Sequence, residues 1–234
     1  MRDFRTLRPR VERHYVIAAI TLFEADSANL RERLRSLRDE LRVPLHYSTL
    51  THSKRLYAIE AVSEFTDWEG FIFETRDPND ETERHVRGKL LRVALLDLVQ
   101  GHGVSRMTIE SRDVTFVKEF DASHCGLDRN DDATLTTLRS KQLLTHEFSL
   151  AHATKDEEIL WLADLLASSR TDALCHPEKN EYFAHVAHRV REIRGYRPKR
   201  VSVRACLAMS TIGIPVFLCP WRHECEECWT SAVV

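Results

Sequence analysis

The segment HYVIAAITLF, residues 14 to 23, constrains the fold more than any other stretch of the chain. It is apolar almost throughout and rich in strand formers. A strand wet on one side alternates polar with apolar residues, so an uninterrupted run fits a strand covered on both faces. Such a strand needs a layer of helices above and below it. The segments that follow supply them.

From Asp26 to Arg42 the apolar positions Leu30, Leu34, Leu37 and Leu41 recur at helical spacing, with Asp26 or Ser27 placed to cap the first turn. PLHYSTL, 44 to 50, reads as a short extended piece, SKRLYAIEAVSEF, 53 to 65, as a second helix, and WEGFIFET, 68 to 75, as a strand. A long helix is expected over 77 to 103, opened by a capping box of Asp80 with Glu83 and closed at Gly101 and Gly103. VSRMTIES, 104 to 111, has the period of a strand, with Ser105, Met107 and Ile109 on one face and Arg106, Thr108 and Glu110 on the other. A helix near 132 to 144, a strand over 145 to 152, a helix capped by Thr154 with Glu157, and a last helix from about Asn180 to Arg194 complete the order. Helices alternating with strands in this way make an α/β domain with a mixed sheet. At 234 residues the chain has room for one such domain and a small appendage.

Within the helix that follows Glu157, the stretch ILWLADLLA carries one carboxylate, Asp164, among apolar neighbours. No broad polar face exists there to hold it in water. Burying an unpaired charge is costly, so Asp164 calls for a metal ion, an Arg partner or a raised pKa. Read more simply, it is a structural acid at the helix surface. Glu110 stands at the carboxyl end of its strand, the side of an α/β sheet where ligands gather. A helix crossing the same sheet would bring Asp164 near Glu110.

Charge adds a second pattern. The 34 basic and 36 acidic residues nearly cancel, which argues against a uniformly basic nucleic-acid coat. Their distribution is uneven, however: residues 1–13 and 189–200 are basic, and the stretch from Glu110 to Asp132 is acidic. An acidic centre between basic arms suits a cation site that handles a polyanion, and it equally suits solvated faces. With seven Gly and no Gly-rich phosphate loop, a kinase, a P-loop ATPase and a dinucleotide enzyme are disfavoured. No GxSxG element is present either.

HYVIAAITL, PLHYSTL, MTIESRD, DDATLTTLR and EEILWLADLLASSRTDAL occur in the order and approximate spacing seen in the domain of unknown function 3800 family, which this chain resembles over roughly residues 10 to 195. The likeness is strongest at IESRD and LWLADLLA. It implies a ribonuclease-H-like fold, a mixed sheet with flanking helices, and metal-dependent cleavage of RNA or DNA phosphodiesters. By analogy with relatives, it implies a role in mobile elements or antiphage defence. Matched position by position, the resemblance makes Glu110 the second-strand acid, Asp164 the late-helix acid and Asp132 a third, with Asp113 a further candidate metal ligand. Arg112 is then placed to bind a phosphate or to pair with Asp164 or Asp113. Members usually open with an Asp-Glu-Ser-Gly-like strand just before the equivalent of HYVIAAITL. This chain has MRDFRTLRPRVER there, with Asp3 and Glu12 as the nearest acids, so the first ligand is missing, either because the chain begins downstream of the true start or because this member has lost it.

The cofactor this implies is Mg²⁺ or Mn²⁺, hard cations suited to carboxylate oxygens; a pair of them can activate water and stabilise a leaving oxygen. His46 and His146 are candidates for proton transfer, with His146 read as a core residue sharing a face with Phe148 and Leu150. A degenerate member that binds nucleic acid or a protein without cutting is the competing expectation. The domain is expected over 1–200, followed by a Cys-containing tail over 201–234. CPWRHECEEC in that tail places Cys219, His223, Cys225 and Cys228 close together, but structural zinc sites use two well-separated pairs, so zinc is not expected. No secretory signal or membrane span is read from the sequence, and a cytoplasmic location with reduced thiols follows as the expectation.

Overall fold

The computed structural model describes residues 13–77, 83–111, 126–194 and 214–222. They form a mixed α/β structure on one six-stranded sheet. Its strands are β1 (Arg13–Thr21), β2 (Glu69–Asp77), β3 (Val104–Glu110), β4 (Ser149–Ala153), β5 (Val190–Arg194) and β6 (Ile214–Arg222), in the spatial order β4-β3-β6-β1-β2-β5. β1 pairs antiparallel with β2 from Arg13↔Asp77 to Thr21↔Glu69, and antiparallel with β6 on its other side. β3 runs parallel to both β4 and β6, and β2 parallel to β5. The outermost strands, β4 and β5, have five residues each.

β1 is covered on both faces, as its composition requires. On one face Val16, Ala18 and Ile20 pack with Ile72 against Leu30, Leu34 and Leu37 of α1 (Ser27–Leu41), Ile59 and Val62 of α2 (His52–Ser63), and the apolar length of α5 (Glu158–Cys175). On the other face Tyr15, Ile17 and Ala19 join Phe71, Phe73, Met107 and Ile109 against α3 (Glu83–Leu96) and α4 (Leu127–Ser140). A short α6 (Glu181–Val186) closes the first layer through Tyr182 and Phe183. Where α5 crosses β2, side chains pack directly onto Gly70. A Cβ on Gly70 would lie 2.8 Å from Cδ2 of Leu166 and 3.1 Å from the Trp68 ring, so only glycine fits without a shift.

Four segments differ from the sequence expectation. Residues 44 to 50 are extended only in part; between the extended His46 and Leu50, Tyr47–Thr49 form a 3₁₀ turn in which Tyr47 is buried. The long helix divides: α3 stops at Leu96 and the chain widens into a π turn over Asp97–Gly101, while Asp80 of the expected capping box lies outside the described residues. His146 is exposed in a turn, not buried in a strand. Gln142, with φ 56°, and the Leu143 N–H to Leu138 carbonyl bond of 2.9 Å lengthen that turn, so β4 starts only at Ser149. The expected last helix ends at Val186, and Val190–Arg194 become an edge strand. Tertiary contact overrides propensity there, since Arg170 of α5 holds both Glu74 of β2 and Glu192 of β5, at 2.9 and 3.0 Å.

The segment expected to form a separate tail also contributes to the sheet, because residues 214–222 are β6, between β1 and β3. Two prolines, Pro215 and Pro220, obscure that strand in the sequence, since proline has no N–H for the ladder. Among the described residues, no helix is long and apolar enough to cross a membrane.

Candidate metal centre

β3 and β4 run side by side and end together, joined past their termini by the Ser111 N–H donating to the Ala153 carbonyl at 2.8 Å. Beyond that end lies the first turn of α4, which begins after Gly126 in the left-handed conformation, φ 81°. Asp128 and Asp131 lie three residues apart on α4 and so share a face. The Ser111 hydroxyl donates to Oδ2 of Asp128 at 2.5 Å and ties that carboxylate to the strand end. His152 is on β4, opposite Ile109 in register and on the same side of the strand as Leu150, which packs against the α3 and α4 layer. One ligand atom each from Asp128, Asp131 and His152 lies within 4.8 Å of the others.

Asp131 is fully buried, and so is Arg87 of α3. Nε of Arg87 donates to both carboxylate oxygens, at 3.0 and 3.2 Å, and a terminal nitrogen donates to Oδ2 at 2.5 Å. Burial opposes the charge on Arg87, but the Asp131 carboxylate outweighs it, and the guanidinium pKa lies above its ordinary value. Nε2 of His152 is 3.7 Å from Oδ2 of Asp131, an ion-pair distance beyond hydrogen-bond reach. Nε2 is nevertheless shielded from solvent and has no hydrogen-bond partner. Asp131, then Asp128 and Asp132, hold the His152 imidazole above its ordinary pKa against the opposing effect of burial.

The residues singled out from the sequence fall at separate places. Glu110 is buried at the end of β3, its carboxylate 3.7 Å from Nζ of Lys155. Strand alternation puts it on the face opposite Ile109, whereas His152 shares the Ile109 side. Asp164 accepts a hydrogen bond from the Tyr47 backbone N–H at 3.0 Å and one from the Ser168 hydroxyl at 3.4 Å, with His46 3.8 Å away. Asp132 is exposed, one residue beyond the buried Asp131. Among the described residues, the only group of three or more candidate ligands is Asp128, Asp131 and His152; it includes none of Glu110, Asp132 and Asp164. Arg112, Asp113, His223, Cys225 and Cys228 lie outside the described residues. Nothing is described of the Cys219 side chain.

Asp128, Asp131 and His152 were therefore missed in the sequence, although a signal was there. DRNDDATL places Asp128 and Asp131 three apart at a helix start, and His152 closes a strand whose neighbour also ends in an ionisable residue, Glu110. The resemblance singled out Asp132, the neighbour of Asp131 on the same helix.

As a donor set, two carboxylates and an imidazole suit Mn²⁺ or a later transition ion better than Mg²⁺, which prefers oxygen alone. The fit is partial. Arg87 already occupies three of the roughly four acceptor positions on Asp131, and only the neutral form of the His152 imidazole can act as a ligand. No family model, no curated protein and no solved structure matches the chain.

Proposed function

We propose that this protein is a ribonuclease-H-like, divalent-cation-dependent hydrolase of nucleic-acid phosphodiesters, with its cation site formed by Asp128, Asp131 and His152. The supporting observation is the convergence of these three side chains, within 4.8 Å, beyond the carboxyl ends of two parallel strands. Ligands of open α/β sheets collect at that edge. When bound, a divalent ion would lower the pKa of a coordinated water and offset charge on the phosphate. The protein's own contribution is orientation: Arg87 fixes the Asp131 carboxylate and Ser111 fixes that of Asp128. Lys155, exposed beside Glu110, is placed to meet a phosphate oxygen at the same edge. In this reading the cation moves from the Glu110 and Asp164 pair, favoured by the resemblance, to α4 and β4.

One observation favours a second reading, a module that binds without cutting. The bidentate Arg87 contact neutralises Asp131 internally, and the environment favours a protonated His152. A site already balanced in this way has less need of a cation.

Calorimetric titration with Mn²⁺, paired with cleavage of labelled single- and double-stranded RNA and DNA, tests both readings. Binding that is weakened at least tenfold in both Asp128→Asn and His152→Asn, with cleavage lost in parallel, is the expected result. Mn²⁺ binding without cleavage of any substrate supports the second reading. No binding at millimolar Mn²⁺ rejects the site.

A further inference from the structure

We infer that the place between β1 and β3 is an exchangeable strand site, and that its alternative occupant is segment 214–222 of a second copy of this chain. The inference is independent of the cation site. β6 is the last described element in sequence yet stands in the middle of the sheet. Without it the sheet would fall into two parts, β4 with β3 and β1 with β2 and β5, each presenting a bare ladder edge. Both edges carry strands whose side chains are core, Ile17, Ala18 and Ala19 on β1 and Met107 and Ile109 on β3, so the vacancy must be filled.

The strand that fills it is weakly held for a central position. Pro215 lies opposite Arg106 and Pro220 opposite Ile17, and neither has an N–H to donate. The register with β3 also shifts between Val104 and Arg106, beside Pro215. Prolines are ordinarily confined to edges, so β6 is weakly held for a strand with a neighbour on each side.

Reach does not confine it to its own chain. β5 and β6 are three strand spacings apart, about 14 Å, and residues 195–213 connect them. A connection of that length spans up to about 60 Å when extended. A strand delivered by another copy makes the same backbone pairs as one delivered in cis, so only concentration separates the two states. A strand joined to its sheet by a connection of that length has an effective concentration on the order of 1 mM. The exchanged dimer is therefore a minor species at micromolar protein and grows with concentration.

Ala18 and Cys219 are register partners across β1 and β6, which makes the exchange directly readable. Paired antiparallel residues lie about 4.5 to 5.5 Å apart at Cα, within reach of a disulfide. Full-length Ala18→Cys, refolded under mild oxidation across a concentration series, should give a bridge between position 18 and Cys219, identified by mass spectrometry of the separated species. The expected result is a covalent dimer carrying that bridge. Its share should rise about tenfold between roughly 10 µM and roughly 100 µM protein, and it should vanish when Cys219→Ser is added. A bridge found only within single chains at every concentration overturns the inference, as does the absence of that bridge from both species. Should Ala18→Cys fail to fold, light scattering on the unaltered protein refolded at high concentration decides. A dimer that persists on dilution supports exchange, and monomer throughout rejects it.

Discussion

Asp164, in the middle of the most apolar of the described helices, accepts a hydrogen bond from the backbone N–H of Tyr47 at 3.0 Å. The contact joins α5 to the 3₁₀ turn that follows α1, and a second contact reinforces it, because the Tyr47 hydroxyl donates to Asp172 of the same helix at 2.6 Å. Burial first, and then Asp172, raise the Tyr47 pKa well above the ordinary value, so the phenol stays protonated and donating. The carboxylate that called for a partner in the sequence has a main-chain one.

Asp164→Ala should accordingly lower stability by about 1 to 3 kcal/mol, the cost of a largely buried donor left without its acceptor. Urea unfolding will measure it. Mn²⁺ affinity should be unchanged in the variant, and a parallel loss of affinity would return Asp164 to the cation site.

The buried pair of Arg87 and Asp131 makes a different prediction. Removing one partner leaves an uncompensated buried charge, so Arg87→Met and Asp131→Leu should each cost about 3 to 5 kcal/mol. The double variant should recover much of that loss, and a double-mutant cycle by chemical denaturation gives the coupling. Strictly additive losses would mean that the two side chains do not depend on each other.

His152 gives the pH dependence. Its pKa in the folded protein lies above the ordinary 6.5, so folding is favoured by proton uptake and the contribution is complete below the unfolded value. It fades as pH rises through the folded pKa. The stability difference between the unaltered protein and His152→Asn should therefore be largest below about pH 6.5 and shrink at higher pH. Thermal unfolding across pH 5 to 9 checks the sign. Mn²⁺ binding should run the opposite way, strengthening as the imidazole loses its proton.

Gly70→Ala tests the approach of β2 to α5. A methyl group 2.8 Å from Cδ2 of Leu166 forces that side chain to shift against the Trp68 ring and Val190, and overpacking of this kind costs about 1 kcal/mol. Leu166→Ala in the same chain should relieve part of the strain; a Gly70→Ala variant as stable as the parent would show that the Leu166 side chain yields freely.

The layers were legible in the sequence because burial leaves a period. Leu30, Leu34, Leu37 and Leu41 marked α1, and HYVIAAITLF marked a strand covered twice. Expectation failed where a distant partner decided the outcome. Glu192 is drawn into a strand beside Arg170, and residues 214–222 enter the sheet despite two prolines because β1 and β3 have ladder edges to fill. The candidate site was legible only as a neighbourhood. The sequence shows Asp128, Asp131 and Asp132 alike, and only the packing of Arg87 turns one inward while its successor faces water.

The sheet's two flanks, β4 and β5, are each five residues long, shorter than the nine of β1, β2 and β6. Stubby margins offer a poor template for lateral growth into fibrils. Among the described strands, that leaves the interior place of β6 as the route for self-association through the sheet, so sticky behaviour of this protein should respond more to substitutions in 214–222 than to changes along either rim.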